Sequence, residues 1–210
     1  MGLPSIASYP LPTRAELPAP RVDWTARRER AALLIHDMQN YFLAPFPAEA
    51  SPISSVIAHV DALRRHAHAL GIPVFYTAQE GNQDPRDRGL QRDFWGPGMS
   101  TRPEHQDIHP QLAPREGDFV LHKWRYSAFQ RSNLEPLMRA RGRDQLIITG
   151  IYAHIGCLMT AAEAFQRDIE PFFVADAVAD FSRENHDLAV TYAAGRCAVV
   201  TTTENLLETL

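Results

Sequence analysis

The apolar and polar positions divide the chain into alternating strands and helices. AALLI, inside residues 30–37, is a short apolar run bounded by charge, which predicts a strand buried on both faces. Over 52–70, Ile53, Val56, Ile57, Val60, Leu63 and Leu70 recur at helical spacing, and Gly71 is the predicted stop. IPVFYTA (72–78) predicts a second strand and DFVLHK (118–123) a third. Between them, 79–117 is rich in polar residues, Gly and Pro. It predicts a long loop with one short helix near 87–94, and long loops in compact domains tend to carry function. SNLEPLMRARG (132–142) predicts a helix opened by a Ser132–Glu135 capping box. DQLIITG (144–150), PFFVAD (171–176) and CAVVTT (197–202) predict three more strands. Helices are predicted over 157–168 and 182–196, the second begun at Ser182, with a short one after the last strand.

Six apolar strands alternating with helices predict an α/β fold. The expected architecture is three-layer αβα, a mainly parallel six-stranded sheet with helices on both faces. Five of the 16 prolines fall in the first 20 residues, so 1–29 reads as an extended arm packed on a single domain of 30–210. In such sheets ligands bind beyond the carboxyl ends of the strands. That rule gathers Asp37, Gln79, Lys123 and the turn after Gly150 into one candidate site.

Composition narrows the chemistry. With 210 residues, 45% hydrophobic and 22% charged, the chain is of ordinary globular type. A net charge of −4 argues against nucleic acid as a partner. No stretch approaches ~18 apolar residues, so no membrane span is expected. The N-terminus lacks the basic start and apolar run of a signal peptide, so a cytoplasmic location is expected. Two cysteines at no metal-like spacing exclude a disulfide framework and a zinc ribbon. Among nine histidines, His66 and His68 are two apart on a helix and share no face; with no HExxH pattern, no metal is expected. GxGxxG, Walker A and GxSxG are absent, and no cofactor is expected.

Of the 21 cationic residues, 20 are Arg and one is Lys123. A lone ammonium at a strand end marks a position where guanidinium shape or pKa would not serve. Asp37, at the end of another strand, could be a general acid, a metal ligand or a helix cap. An ammonium beside it lowers its pKa and burial raises it; an acid working near neutral pH needs burial or a substrate carboxylate to prevail. GIYAHIGC (150–157) leads from a strand into a helix, a place that favours anions. Cys157 there is either a thiol activated by the helix end or a small buried residue opening the helix, and the second is preferred.

LLIHDMQNYF (33–42), FYTAQ (75–79), DFWGPGM (93–99), KWRYSAF (123–129), ITGIYAHIGC (148–157) and VADAVADFS (174–182) closely resemble isochorismatases. The resemblance spans essentially the whole chain. It implies hydrolysis of an enolpyruvyl vinyl ether in a small anionic, chorismate-derived substrate: isochorismate or 2-amino-2-deoxyisochorismate. It assigns Asp37 as proton donor and Lys123 as its partner. Gln79 and Arg88 would contact the enolpyruvyl and carboxylate groups, and Phe42, Trp95 and Tyr152 would line the pocket. Related cysteine hydrolases carry an Asp–Lys–Cys triad whose thiol would fall at Gly156, one residue before Cys157. The missing side chain there is expected to make room for substrate. Arg125 and Tyr126, in the KWRYSAF string, are expected to anchor the turn. The family implies a homodimer. No aryl-carrier domain is expected after the last helix, and RDFWGPGM with the C-terminal string looks more like the phenazine-type enzyme than the siderophore type. Two alternatives stand beside this one: an amidohydrolase using Cys157, and an inactive docking module.

Overall fold

The computed structural model describes residues 3–210. Its core is one six-stranded sheet in which every pairing is parallel. The strands are β1 (Ala31–His36), β2 (Val74–Ala78), β3 (Phe119–His122), β4 (Gln145–Ile151), β5 (Glu170–Ala179) and β6 (Val199–Thr201), in the order β3-β2-β1-β4-β5-β6. Every residue of β1 and β4 is buried, as apolar runs without alternation require.

The helices are α1 (Asn40–Leu43), α2 (Ile53–Leu70), α3 (Pro85–Arg88), α4 (Gln91–Trp95), α5 (Pro103–Gln106), α6 (Leu134–Arg139), α7 (Leu158–Gln166), α8 (Arg183–Arg196) and α9 (Thr203–Thr209). Alternate residues of β1 feed two cores. Leu33 and Ile35 pack with Ile53, Val56 and Val60 of α2 and Leu206 of α9. Ala32 and Leu34 pack with α6, α7 and α8 through Met138, Ala161 and Ala193. Burial of each Leu or Ile contributes about 1.5–3 kcal/mol, so the two helical layers hold the sheet from both sides. α2 closes where expected, at Gly71 in the left-handed region (φ 68°).

The arm is extended but for one short turn, Arg14–Glu16. Its Tyr9 hydroxyl is buried, accepts from the Asp180 N–H at 2.7 Å and lies 3.2 Å from Nδ1 of His186. His186 is held neutral by burial, so Nε2 donates to the Ala175 carbonyl at 2.9 Å and Nδ1 accepts from Tyr9.

Several boundaries differ from expectation. The Ser132–Glu135 capping box does not form: Ser132 donates to the Ala128 carbonyl, and Glu135 is drawn to Arg139 and Arg167, so α6 begins at Leu134. β5 continues past Asp176 because that carboxylate accepts from the Thr203 N–H and hydroxyl, which satisfies a polar group in mid-strand. The 79–117 segment holds three short α-helices and a single 3-10 turn, Pro110–Leu112, instead of one helix. Asp84 caps α3, with Pro85 at its first position, and Gly89 and Gly96 interrupt the run on either side of α4. A π-type turn, Ala153–Cys157, precedes α7.

Candidate active site

Sheet order reverses between β1 and β4: the chain leaves β1 toward β2 on one side and returns as β4 on the other. Such a switch point opens a crevice at the strand ends. A cavity of about 300 Å³ lies there. Asp37, Phe42, Gln79, Arg88, Trp95, Lys123, Tyr152 and Gly156 all line it, together with Leu3 and Pro4 of the arm.

Asp37 follows β1 directly, with φ 51°, and is 5% exposed. Lys123, just past β3 and 4% exposed, donates through Nζ to Asp37 Oδ2 at 2.7 Å. Thr77 donates to Oδ1 at 2.6 Å and accepts from the Asp37 N–H at 3.1 Å. Burial pushes the Asp37 carboxyl upward, but Lys123, His36 and the Thr77 hydroxyl together hold it below the ordinary 3.8. With these partners it is ionised at neutral pH. The register explains the contact with Thr77, because Thr77 faces His36 across β1 and β2.

His36 is fully buried, and burial, aided by Lys123, takes its imidazole from 6.5 down to about 4. The neutral ring is assigned its proton on Nδ1, 2.8 Å from the Ile151 carbonyl; Nε2 lies 3.3 Å from the Tyr126 carbonyl. This sets a pH dependence. The unfolded chain takes up protons at His36 below about 6.5 and the folded chain does not, so stability falls as pH drops toward 4. A gap of that size is worth about 3 kcal/mol. Asp37 adds a second loss as pH falls through its depressed value. Thermal unfolding between pH 7.5 and 4.5 is expected to show a falling Tm; a Tm that holds or rises over that interval would contradict it.

Arg88 is 6% exposed, and burial holds its guanidinium below its ordinary value. It donates to the Gly96 carbonyl at 2.6 Å and to Gln83 Oε1 at 3.3 Å, and among the described residues no carboxylate pairs with it. A buried cation without a protein counter-ion, facing a cavity, suits an anion. Gln79 is held by Gln39, whose amide accepts from the Gln79 N–H at 2.7 Å and donates to the carbonyls of Gln79 and Gln106, each at 2.8 Å.

The aromatic wall is linked. Trp95 donates through Nε1 to the Tyr126 hydroxyl at 2.8 Å, and Phe181 stacks on both Trp95 and Tyr152. Tyr152 donates to the Phe42 carbonyl at 2.8 Å. Arg125 anchors the turn, donating to the carbonyls of Asp87 and Trp124. Tyr126 does more than anchor: it lines the cavity.

The preferred reading of Cys157 holds, and one expectation, at Gly156, is corrected. Cys157 is fully buried in the α6–α8 core, lies outside the cavity, and has its thiol pushed well up by burial. It is no nucleophile for a ligand in this pocket. At Gly156, a Cβ would overlap the imidazole of His36. A neighbouring ring therefore fills the space that the absent side chain was expected to leave for substrate. His36, Thr77, Gln39 and Phe181 were not singled out in the sequence. A histidine inside an apolar run was visible, but its role, like that of Thr77 beside Asp37, comes from register and packing that one sequence does not show.

At the switch point of a parallel α/β sheet the site combines a buried acid–ammonium pair with an unpaired guanidinium, groups suited to acid–base chemistry beside a place for an anion. The family model described as the Isochorismatase domain matches residues 31–205. The chain is 56% identical over 210 residues to the "Isochorismatase" of Bacillus subtilis, covering all of this chain and 67% of that one. It is 48% identical over 207 residues to the "Phenazine biosynthesis protein PhzD1" of Pseudomonas aeruginosa, covering 99% of each. The fold matches a cysteine hydrolase from Pseudomonas syringae with a TM-score of 0.81, at 24% identity, over 96% of this chain and 97% of that one. The chain belongs to the isochorismatase family and is a hydrolase of isochorismatase type.

Proposed function

We propose that the chain hydrolyses the enolpyruvyl vinyl ether of isochorismate by general-acid catalysis from Asp37. The observation that carries this reading is the buried Asp37–Lys123 pair beside the unpaired Arg88 in one cavity. Vinyl ether hydrolysis needs no nucleophilic side chain. Asp37 gives its proton to the terminal methylene carbon, whose π electrons form the new C–H bond, and an oxocarbenium ion results. Water adds to the ether-bearing carbon of that ion and loses a proton to the Asp37 carboxylate. The hemiketal collapses, its C–O bond breaking, to pyruvate and a dihydro-aromatic diol. Arg88 and Lys123 hold the two substrate carboxylates. These carboxylates offset the cationic field that keeps Asp37 ionised, so its pKa rises on binding and it enters the complex protonated.

Asp37 is the sole acidic side chain lining the cavity among the described residues, and Lys123 occupies it. An ammonium at the substituted ring carbon would find no counter-charge there. In coupled pyruvate-release assays run side by side, isochorismate is expected to give the higher kcat/KM and its 2-amino analogue the lower. Preference for the amine would overturn the charge argument; no pyruvate from either would sink the whole reading. The enzyme acts in the cytoplasm, in this reading as a homodimer. Leu90 and Phe94, both largely exposed, the second also lining the cavity, supply apolar surface for the contact. Sedimentation as a single 23.6 kDa species would overturn the dimer.

A further inference from the structure

His36 ends β1 with both its backbone and its ring closely enclosed. A Cβ at Gly150 (φ 103°) would come within 2.7 Å of the His36 backbone nitrogen and closer still to its carbonyl oxygen. A Cβ at Gly156 would lie 2.8 and 2.9 Å from the two ring nitrogens and closer to the carbon between them. One glycine therefore admits the backbone of His36 and the other admits its imidazole. The ring cannot swing clear, because each nitrogen faces a carbonyl, of Ile151 or Tyr126, and none of the residue is exposed. Its Nδ1 lies 3.8 Å from the Asp37 carboxylate. The ring approaches the same oxygen, Oδ2, that accepts from Lys123, while Thr77 donates to Oδ1, so the carboxylate is enclosed by these three side chains.

We propose that His36 is a positioning residue for the hydrolysis: with Gly156 it forms one packing unit that keeps the Asp37 carboxyl aimed into the cavity. Position 156 accepts a side chain only when position 36 gives up its ring. A methyl at 156 crowds the imidazole that lies 3.8 Å from the Asp37 carboxylate, and a misplacement of about 1 Å at a reacting group can cost about 10²-fold in rate. The positioning part rests on the acid role proposed for Asp37; the packing part does not.

The test is a double-mutant cycle with two readouts, pyruvate release and urea unfolding. Gly156→Ala is expected to lower kcat by about 10²-fold with KM within about threefold of wild type, and to lower the urea midpoint. His36→Asn is smaller and keeps an N–H near the Ile151 carbonyl. Alone it is expected to lower kcat by about tenfold, again with little change in KM. Combined with Gly156→Ala it is expected to restore kcat at least about tenfold over Gly156→Ala and to raise the midpoint, because the added methyl then has room. Losses that simply multiply, or a Gly156→Ala enzyme with wild-type kcat and midpoint, would overturn the proposal. Should Gly156→Ala fail to fold, His36→Asn decides alone, since wild-type kcat in that folded variant refutes positioning. If the wild-type enzyme releases no pyruvate, the acid role fails, and the urea cycle still judges the packing unit.

Discussion

Asp37→Asn is expected to lower kcat for pyruvate release by about 10²–10⁴-fold, the usual contribution of a positioned general acid. Substrate binding should change far less. The amide keeps the shape of the carboxyl: its one oxygen can still accept from Lys123, 2.7 Å from Oδ2, and its NH2 can donate to the Thr77 hydroxyl, 2.6 Å from Oδ1. It cannot deliver a proton to carbon. Removing one carboxylate also removes a repulsion against the dianionic substrate, so the dissociation constant of a non-hydrolysable analogue should hold or tighten. Single-turnover kinetics with that titration alongside separates the two effects. A variant that retains wild-type turnover would remove Asp37 as the acid.

Lys123 carries the second large effect. Lys123→Met keeps the length of the side chain and deletes the ammonium. The Asp37 carboxyl then keeps its burial, which pushes its pKa up, and loses the main charge that pulls it down. In the substrate complex the alkaline fall of kcat follows that carboxyl, so it should move to higher pH. Substrate loses one of its two carboxylate partners at the same time. Breaking a buried pair by removing one member costs about 3–5 kcal/mol, and kcat/KM is expected to drop at least about 10²-fold. Lys123→Arg should fall between the two. It keeps the charge, but a planar fork replaces a point donor that is 4% exposed and 2.7 Å from Oδ2. A pH profile unmoved in Lys123→Met would break the link between the ammonium and the acid.

The buried strands were legible because parallel strands covered on both faces are continuous apolar runs; AALLI and LIIT could hardly be anything else. Lys123 was legible as the one ammonium among 21 cations. Asp37, Gln79 and the turn after Gly150 followed from the rule that places ligands at strand ends. Arg88, Trp95, Phe42 and Tyr152 needed the family resemblance, since nothing in local spacing says that a loop arginine turns inward and loses its counter-ion. His36 and Thr77 were hidden for a different reason. Their roles come from register and from the close approach of two glycines, and neither is written in the periodicity of one segment. Glu135 misled because a capping pattern is local, while one of the two arginines that draw it off, Arg167, comes after β4 in the chain.

The clamp at Tyr9 has a consequence for synthesis. Its hydroxyl reaches partners 171 and 177 positions further along the chain, while Leu3 and Pro4, just before it, form part of the cavity wall. On the ribosome, where elements emerge in order, the arm's backbone can meet Pro45 and Ser51 early, but the Tyr9 hydroxyl has no partner until Asp180 and His186 have cleared the exit tunnel. A side chain translated among the earliest thus waits for residues near the end of the chain. Nascent chains stalled before that point would carry Asp37 and Lys123 beside an arm not yet pinned at Tyr9.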